Sequence, residues 1–386
     1  MRRAYLDHAS TSTLRPAALA AMLPFLREHH ADPGRLHAEG RVTRVAREEA
    51  REQVAALLGA RPREVVFTAS GTEAVNTAVW GAVARGIESD GRAHVVTTAV
   101  EHSAVLAACR RPSLGAPAAE LTMVGVDRLG RFDPDEVAAA VRPETALVSV
   151  QLANHEVGTL QPAAEVVAEC RDKGALVHVD ACMAAGHVPV DFHALGADLC
   201  SVTAHKLGGP KGAGALLVRR GLRVPQLIVG GAQERARRGG LEDVPAWVGF
   251  GAAAAELDAD DRLATEASAA RALTDRVATE TPKLVAGVTR YGDPDERVPH
   301  LICFGIEGVE AEPVLLGLDQ RGVAVHSGSA CSSEVLEPSP ILEAMGVDAE
   351  HSLRVSVGWD TTDADIDAFL DAFPAVVDHL RALRAG

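Results

Sequence analysis

The chain has 386 residues, of which 47% are hydrophobic and 24% charged, so it is long enough to bury a large core and to form more than one domain. Its formal net charge is −15 and no stretch is dense in lysine and arginine, which excludes broad binding to the phosphate backbone of nucleic acids. Asp7 stands where a signal peptide needs an apolar run, and no apolar stretch reaches membrane-spanning length. We therefore expect a cytoplasmic protein with no direct nucleic-acid partner and no membrane partner.

Short β-rich runs alternate with helical patterns through the first two thirds of the chain. The runs expected as strands are 64–68, 94–97, 146–150, 175–180, 198–203 and 214–218. Between them, 43–58 carries apolar residues at helical spacing, and 72–84 opens with a threonine–glutamate helix start. The alternation indicates an α/β fold with a mainly parallel sheet that is covered by helices on both faces.

The pattern changes after about residue 255. A long helical stretch is followed by predicted strands at 301–305, 323–326 and 352–357, a helix at 311–320 and a terminal helix. This order is typical of a smaller α+β domain. We expect a large domain of residues 14–255 and a small domain made of residues 1–13 and 256–386.

Two strand ends carry the groups that a pyridoxal phosphate cofactor needs. Lys206 closes an apolar strand ahead of a turn rich in glycine and proline, a position that suits an amine forming a Schiff base with an aldehyde. The apolar strand upstream ends in Asp180, and a carboxylate at a strand end can hold a pyridine nitrogen in its protonated form. The two ends are therefore expected to hold the two poles of the cofactor.

The segment 68–73 offers a site for the phosphate. It consists of a strand end, a turn of small residues and a helix N-terminus, where backbone N–H groups and the Thr72 hydroxyl would converge on an anion. Taken alone, the segment is better explained by ordinary helix capping.

Cysteine usage predicts one nucleophile and no metal site. The six cysteines have neither CxxC pairs nor the spacing of zinc ligands, which is typical of a reducing compartment. Cys331 lies among serine, glycine and alanine, which leaves its sulfur accessible for nucleophilic attack. The alternative is a buried loop thiol. Cys182 and Cys200 lie in apolar runs and are expected to be packing residues.

These motifs, in this order, resemble the cysteine desulfurases, which are pyridoxal-phosphate enzymes of the class V aminotransferase group, and in particular the branch with a long cysteine loop. The resemblance runs from 5–9 to 353–358. It implies a fold-type I transferase with a seven-stranded type of sheet. It also implies that L-cysteine is converted to L-alanine while the sulfur is held as a persulfide on Cys331.

The resemblance implies a role for each site residue. The catalytic residues would be Lys206, Cys331 and His102; the cofactor-binding residues Gly71, Thr72, His102, His155, Asp180, Met183, Thr203, His205, Lys206 and Leu241; and the substrate-binding residues Asn154, His155 and Arg354. His102 would stack on the cofactor ring and carry protons, and Arg354 would bind the substrate carboxylate. Without the resemblance, His102 reads as a loop or capping residue, and Arg354 either extends to the surface or binds an anion.

The chain departs from the family pattern at three positions. His155 stands where the family has a second asparagine, Met183 where it has glutamine, and Leu241 where it has a threonine that reaches the partner subunit's phosphate. Met183 cannot replace the lost hydrogen bond, whereas His155 can still donate one. We expect compensation by neighbouring residues rather than changed chemistry.

The resemblance also implies the partners. The segment 233–240, which by charge pattern is a solvated turn, corresponds to one that crosses to the other subunit's active site, so a homodimer is expected. The sulfur would pass to a protein acceptor, namely an iron–sulfur scaffold, a tRNA thiolase or a sulfur carrier. Two alternatives stay open: another pyridoxal-phosphate reaction (selenocysteine or cysteine C–S lyase, transaminase or epimerase), and a catalytically silent scaffold or activator in sulfur assembly.

Overall fold

The computed structural model describes residues 3–111, 119–327 and 338–385. The strands are β1 (Ala4–Tyr5), β2 (Val65–Thr68), β3 (His94–Thr98), β4 (Glu120–Val124), β5 (Thr145–Gln151), β6 (Leu176–Asp180), β7 (Leu199–Thr203), β8 (Gly214–Val218), β9 (Val288–Tyr291), β10 (Leu301–Ile306), β11 (Val323–Ala324) and β12 (Ser352–Ser356).

The helices are α1 (Pro16–Arg27), α2 (Ala38–Leu57), α3 (Gly71–Asp90), α4 (Ser103–Arg110), α5 (Pro134–Ala139), α6 (Ala163–Cys170), α7 (Phe192–Leu195), α8 (Gln233–Ala236), α9 (Val244–Asp258), α10 (Arg262–Leu284), α11 (Ala311–Gln320), α12 (Pro340–Ala344) and α13 (Asp363–Ala385). Short 3-10 turns follow α6 at Arg171–Lys173 and β7 at Ala204–Lys206. Within the described ranges, no helix is long and apolar enough to cross a membrane.

The main sheet has seven strands in the order β2-β8-β7-β6-β5-β3-β4. Strands β4, β3, β5, β6 and β7 run parallel, and β8 pairs antiparallel with both β7 and β2. The predicted mainly parallel sheet is therefore confirmed. Because parallel strands end at one edge, the residues after β5, β6 and β7 are brought together there.

Alternating apolar residues explain why helices cover both faces of this sheet. In β2, Val65 and Phe67 belong to the core cluster that contains residues of α2, α6 and α9. Val66 belongs to a separate cluster with residues of α3 and α4. Successive side chains of a strand point to opposite faces, so each apolar strand supports two cores.

The rest of the chain builds a second core around an antiparallel sheet in the order β12-β10-β9. Its apolar residues pack with α13 and α11, and with Leu6 beside β1, which pairs with β11. The separate core supports the predicted division into residues 14–255 and residues 1–13 with 256–386; these limits remain a prediction.

Most predicted elements match the structure, and the differences lie at sheet edges. The helix predicted at 311–320 is present as α11, and the strand at 214–218 as β8. Strands β1, β4 and β9 were not predicted, and the strand expected at 323–326 covers only Val323–Ala324. Strand β4 is an edge strand with exposed and half-buried residues, so it lacks the apolar run that marked the central strands.

Candidate active site

A cavity of about 230 Å³ lies at the carboxyl edge of the main sheet. The predicted site residues that line it are Gly71, Thr72, His102, His155, Asp180, Met183, Thr203, His205, Lys206 and Arg354. They come from segments up to 283 positions apart in the chain, between Gly71 and Arg354. The strand order explains their meeting, because β2, β3, β5, β6 and β7 all deliver their C-terminal residues or following loops to this edge or beside it.

The acidic pole of the cavity is formed where β6 ends. Asp180 is the last residue of β6 and is 7% exposed, and its Oδ1 accepts a hydrogen bond from the Cys182 backbone N–H at 3.0 Å. That bond fixes the carboxylate against the following turn. Lys206, at the end of the 3-10 turn after β7, lines the same cavity and supplies its amine.

Two imidazoles, those of His102 and His155, line the same cavity as Asp180 and Lys206. His102 caps the N-terminus of α4, and its Nδ1 accepts a hydrogen bond from the Ala104 N–H at 3.0 Å, so the neutral ring carries its proton on Nε2. His155 lies edge-on to His102 with ring centroids 4.9 Å apart. Burial, followed by the proximity of the basic groups of His102, Lys206 and Arg354, lowers the pKa of His155 well below its usual value. His155 is therefore a neutral imidazole at physiological pH.

The other pole is a small-residue cradle at the start of α3. The side chain of Ser70 accepts from the Glu73 N–H at 3.1 Å, while Glu73 Oε2 accepts from the Ala69 N–H at 2.8 Å, which completes a reciprocal helix cap. A Cβ atom at Gly71 would lie 2.7 Å from Cys182 Sγ and 3.2 Å from Thr203 Cβ. Only glycine therefore lets this helix start approach Thr203.

Two buried polar atoms beside that cradle have no hydrogen-bond partner among the described residues. They are Thr203 Oγ1 and His205 Nδ1. Burial, followed by the charges of Lys206 and Lys211, lowers the pKa of His205 to about 4, so its ring is neutral and has one N–H to donate. Buried polar atoms are normally paired, so this end of the cavity suits an anion that can accept hydrogen bonds from both groups.

Arg354 is held rigidly in the cavity wall. It is 1% exposed; its Nη1 donates to the His155 carbonyl at 2.9 Å and its Nη2 to Asp7 Oδ1 at 2.9 Å and Ser10 Oγ at 2.8 Å. Its Nε is buried without a partner in the described ranges. Asp7 thus partly neutralises the guanidinium before any substrate is bound.

Two of the described predicted site residues, Asn154 and Leu241, do not line this cavity. Asn154 is fully buried, and its Oδ1 accepts from the backbone N–H groups of Glu156 and Val157 at 2.9 Å each, so it shapes the loop that carries His155. Leu241 is 68% exposed and lies away from the cavity. Cys331 lies outside the described residues.

The structure adds residues that the sequence did not single out. Ser10, Gln151 and Cys182 also line the cavity. Cys182 was expected to be a packing residue. Burial, followed by the charge of Asp180, raises the pKa of its thiol well above the usual value, so Cys182 is a poor nucleophile. Cys182 follows Asp180 by two residues at the end of β6, and this position in the sequence could have predicted that it lines the cavity.

A comparison of the sequence with models of protein families identifies the family. The Aminotransferase class-V model matches residues 4–369. This chain belongs to that family. Its cofactor is pyridoxal 5′-phosphate, and the residues present fit it: an amine at Lys206, a carboxylate at Asp180 and the unpartnered donors Thr203 and His205 at the glycine cradle.

Similar proteins extend over the whole chain. A curated relative from Dictyoglomus turgidum, named cysteine desulfurase IscS, is 40% identical over 390 residues, covering 99% of this chain and 96% of the relative. A solved structure described as a NifS-like protein has a TM-score of 0.89 at 31% identity and covers 98% of this chain and 100% of its own. Another, described as SspA in complex with cysteine, has a TM-score of 0.80 at 27% identity and covers 93% of this chain and 99% of its own.

Proposed function

We propose that this chain is a pyridoxal-phosphate-dependent cysteine desulfurase, which converts L-cysteine to L-alanine and holds the released sulfur as a persulfide on Cys331. The observation that carries the proposal is the cavity in which Lys206, Asp180, His102 and Arg354 meet. The relatives named cysteine desulfurase support the reaction, because they match this chain over nearly its full length.

Each residue of the chain has a task in this reaction. The bound cofactor supplies an aldehyde that joins the substrate amine and a ring that withdraws electrons from the bonds at Cα. Asp180 keeps the ring nitrogen protonated, and Arg354 orients the substrate through its carboxylate. Lys206 Nζ and His102 Nε2 hold and move protons between Cα and Cβ.

Cys331 completes the chemistry by taking the sulfur. Its thiolate forms an S–S bond to the substrate sulfur while the Cβ–S bond breaks, and the electron pair stays with the substrate carbon skeleton. Cβ then takes a proton and becomes the methyl group of alanine. One enzyme thiol and one cysteine thus give one persulfide and one alanine.

Both described residues that flank the Cys331 segment are anchored next to the site. His326 and Arg354 exchange backbone hydrogen bonds, so Ser327 lies beside the strand that carries the guanidinium. Cys331 is four residues further along the chain. After the segment, the Ser339 hydroxyl donates to the Glu156 carboxylate, next to His155. This anchoring supports delivery of the thiol to the cavity.

Incubation with L-cysteine tests the proposal. We expect alanine in step with protein persulfide for a single turnover, and continued alanine formation when a reductant removes the sulfur. Pyruvate with ammonia would instead indicate a C–S lyase, and an exchanged amino group a transaminase. Failure to bind pyridoxal phosphate would favour a silent scaffold and contradict the proposal.

The same proposal includes the partners. A homodimer is supported by exposed apolar side chains around segment 233–240, where Val229 is 79% and Leu241 68% exposed. Sulfur would pass in the cytoplasm to an iron–sulfur scaffold, a tRNA thiolase or a sulfur carrier. Sedimentation of the wild type and of Leu241→Asp tests the dimer: we expect a dimer that the aspartate weakens, and a wild-type monomer would contradict it. Transfer of labelled sulfur to each acceptor class tests delivery.

A further inference from the structure

A second, smaller cavity lies behind Lys206, and Lys206 lines both cavities. It offers about 20 Å³ to water-sized molecules, which is enough for one water. Its polar lining consists of Ser12, Arg15, Glu266 and the two histidines His187 and His300. The reactive lysine is therefore backed by a polar compartment distinct from the one that takes the cofactor.

The turn that carries Lys206 is held from this side by its backbone. Four successive carbonyl groups, those of residues 205, 206, 207 and 208, each accept a hydrogen bond from the back wall. The donors are Ser12 N–H to residue 205 at 2.9 Å, His187 Nε2 to residue 206 at 3.1 Å, Arg15 Nε to residue 207 at 3.0 Å and Arg15 N–H to residue 208 at 2.8 Å. His187 therefore fixes the peptide of Lys206 itself.

The tautomer of His187 follows from this contact. A carbonyl oxygen can only accept, so Nε2 of His187 carries the proton. The ring is stacked on His300 with centroids 3.4 Å apart and planes at 16°. Gly186, at φ +83°, lets the segment before His187 lie close to the turn that carries Lys206, because a Cβ there would lie 2.4 Å from Leu207 Cβ.

His300 is the side chain that points to a ligand. It is 1% exposed, and neither of its ring nitrogens has a hydrogen-bond partner among the described residues. A neutral imidazole has one N–H to donate and one nitrogen that accepts, and leaving both buried and unpaired is costly. The same cavity is lined by the Ser12 hydroxyl and the Glu266 carboxylate, which can supply a water molecule with its further partners.

We propose that the cavity behind Lys206 is a site for one water molecule bound by His300, and that this water and the stacked His187 position Lys206 from the side opposite the cofactor. His187 is thus a positioning residue, acting through the lysine's own carbonyl. The proposal rests on the proposed function only in taking Lys206 as the amine that binds the cofactor.

The water site is tested by a high-resolution crystal structure of the cofactor-bound protein. We expect one ordered water within hydrogen-bond distance of a ring nitrogen of His300. Nitrogen-15 NMR should place the proton of neutral His187 on Nε2. A dry cavity would overturn the water site, and a proton on Nδ1 would overturn the contact to Lys206.

The positioning role is tested by matched substitutions and cofactor titration. His187→Phe keeps a stacking ring but no donor, whereas His187→Gln keeps an N–H donor without the ring. The loss of one hydrogen bond is about 1 kcal/mol, so we expect the apparent Kd for pyridoxal phosphate to rise about fivefold in His187→Phe and to recover in His187→Gln. A packing role would give the opposite order and overturn the proposal.

The same comparison applies to the second histidine. His300→Phe should raise the Kd for pyridoxal phosphate and exclude the water. His300→Asn should keep the water and the wild-type Kd. His94→Phe is the control, because His94 is buried with both ring nitrogens bonded to threonine hydroxyls and lines neither cavity. The Kd of this variant for pyridoxal phosphate should not change. These measurements use no cysteine, so they stand or fall separately from the desulfurase reaction.

Discussion

Replacing Glu101 by glutamine is expected to remove a large pH dependence of stability. Glu101 is 1% exposed and precedes His102. Its Oε1 accepts from the Thr98 hydroxyl at 2.7 Å and the Gln151 N–H at 3.0 Å, while Oε2 is buried without a partner among the described residues. Burial, with a smaller contribution from the charge of Asp180, raises the pKa of this carboxyl from 4.5 to about 8. Glu101 is therefore a neutral acid at pH 7.

The sign and size of the effect follow by linkage. Between pH 4.5 and about 8 the unfolded chain has released the Glu101 proton, while the folded protein keeps it. The free energy of unfolding thus falls as the pH rises, by at most 1.4 kcal/mol per pH unit, or about 5 kcal/mol in total. Glu101→Gln cannot titrate, so this loss should be absent in the variant.

Urea unfolding of the cofactor-bound proteins at pH 5, 6, 7 and 8 measures the difference. The free energy of unfolding of Glu101→Gln, relative to that of wild type, should increase with pH across this range. The slope should be that of one proton, about 1.4 kcal/mol per pH unit at most. Glu48→Gln is the control: burial acts to raise the pKa of Glu48, but the neighbouring Arg51, Arg47 and Arg235, which stay charged, outweigh it and lower the pKa, so its contribution is constant above pH 5. Parallel curves for wild type and Glu101→Gln would refute the reasoning.

Three further predictions concern the sheet edge and the cofactor. Lys206→Ala should fold with an unchanged Tm when compared without cofactor, yet lose covalent cofactor attachment, its visible absorption and turnover; an unchanged spectrum would reject Lys206 as the anchor. Met183→Gln restores the glutamine of the family pattern, which would donate to the ring oxygen, and should lower the pKa of the lysine–cofactor linkage in a spectrophotometric titration; no change would mean that His155 or another group already makes the contact. Burial lowers the pKa of His178, which lies between the hydroxyls of Ser149 and Ser201, to about 4. The unfolded state therefore gains the proton first below pH 6.5, so the Tm should fall from pH 6.5 to pH 4, and less steeply in His178→Asn.

The sequence predicted the central strands, and the meeting of Asp180 and Lys206 at their ends, because both depend on local signals. Apolar runs marked β5, β6 and β7, and polar groups directly after such runs, as at Asp180 and Lys206, must meet at one edge of a parallel sheet. Edge strand β4 has no such run, and it was not predicted. Local patterns predicted the central strands, which bury apolar surface, and missed this edge strand.

Tertiary contacts set the features that the sequence could not predict. The ion pair between Arg354 and Asp7 joins positions 347 apart, and no periodicity in either segment indicates it. The stacking of His187 on His300 similarly depends on how the turn after β6 packs against the segment before β10. Asn154 matched a family position, and the sequence did not indicate that its amide oxygen accepts from its own loop while its amide nitrogen donates to the Val100 carbonyl.

Tandem mass spectrometry after treatment with L-cysteine tests the central claim most directly. Wild type should carry one added sulfur on Cys331 and release alanine. Cys331→Ala should still bind the cofactor and cysteine but release no alanine, because neither binding step uses the thiol. Cys182→Ala is the matched control, since this cavity thiol has a raised pKa, and it should keep the modification and the activity. Sulfur on Cys182 or Cys200, with Cys331→Ala fully active, would contradict the account.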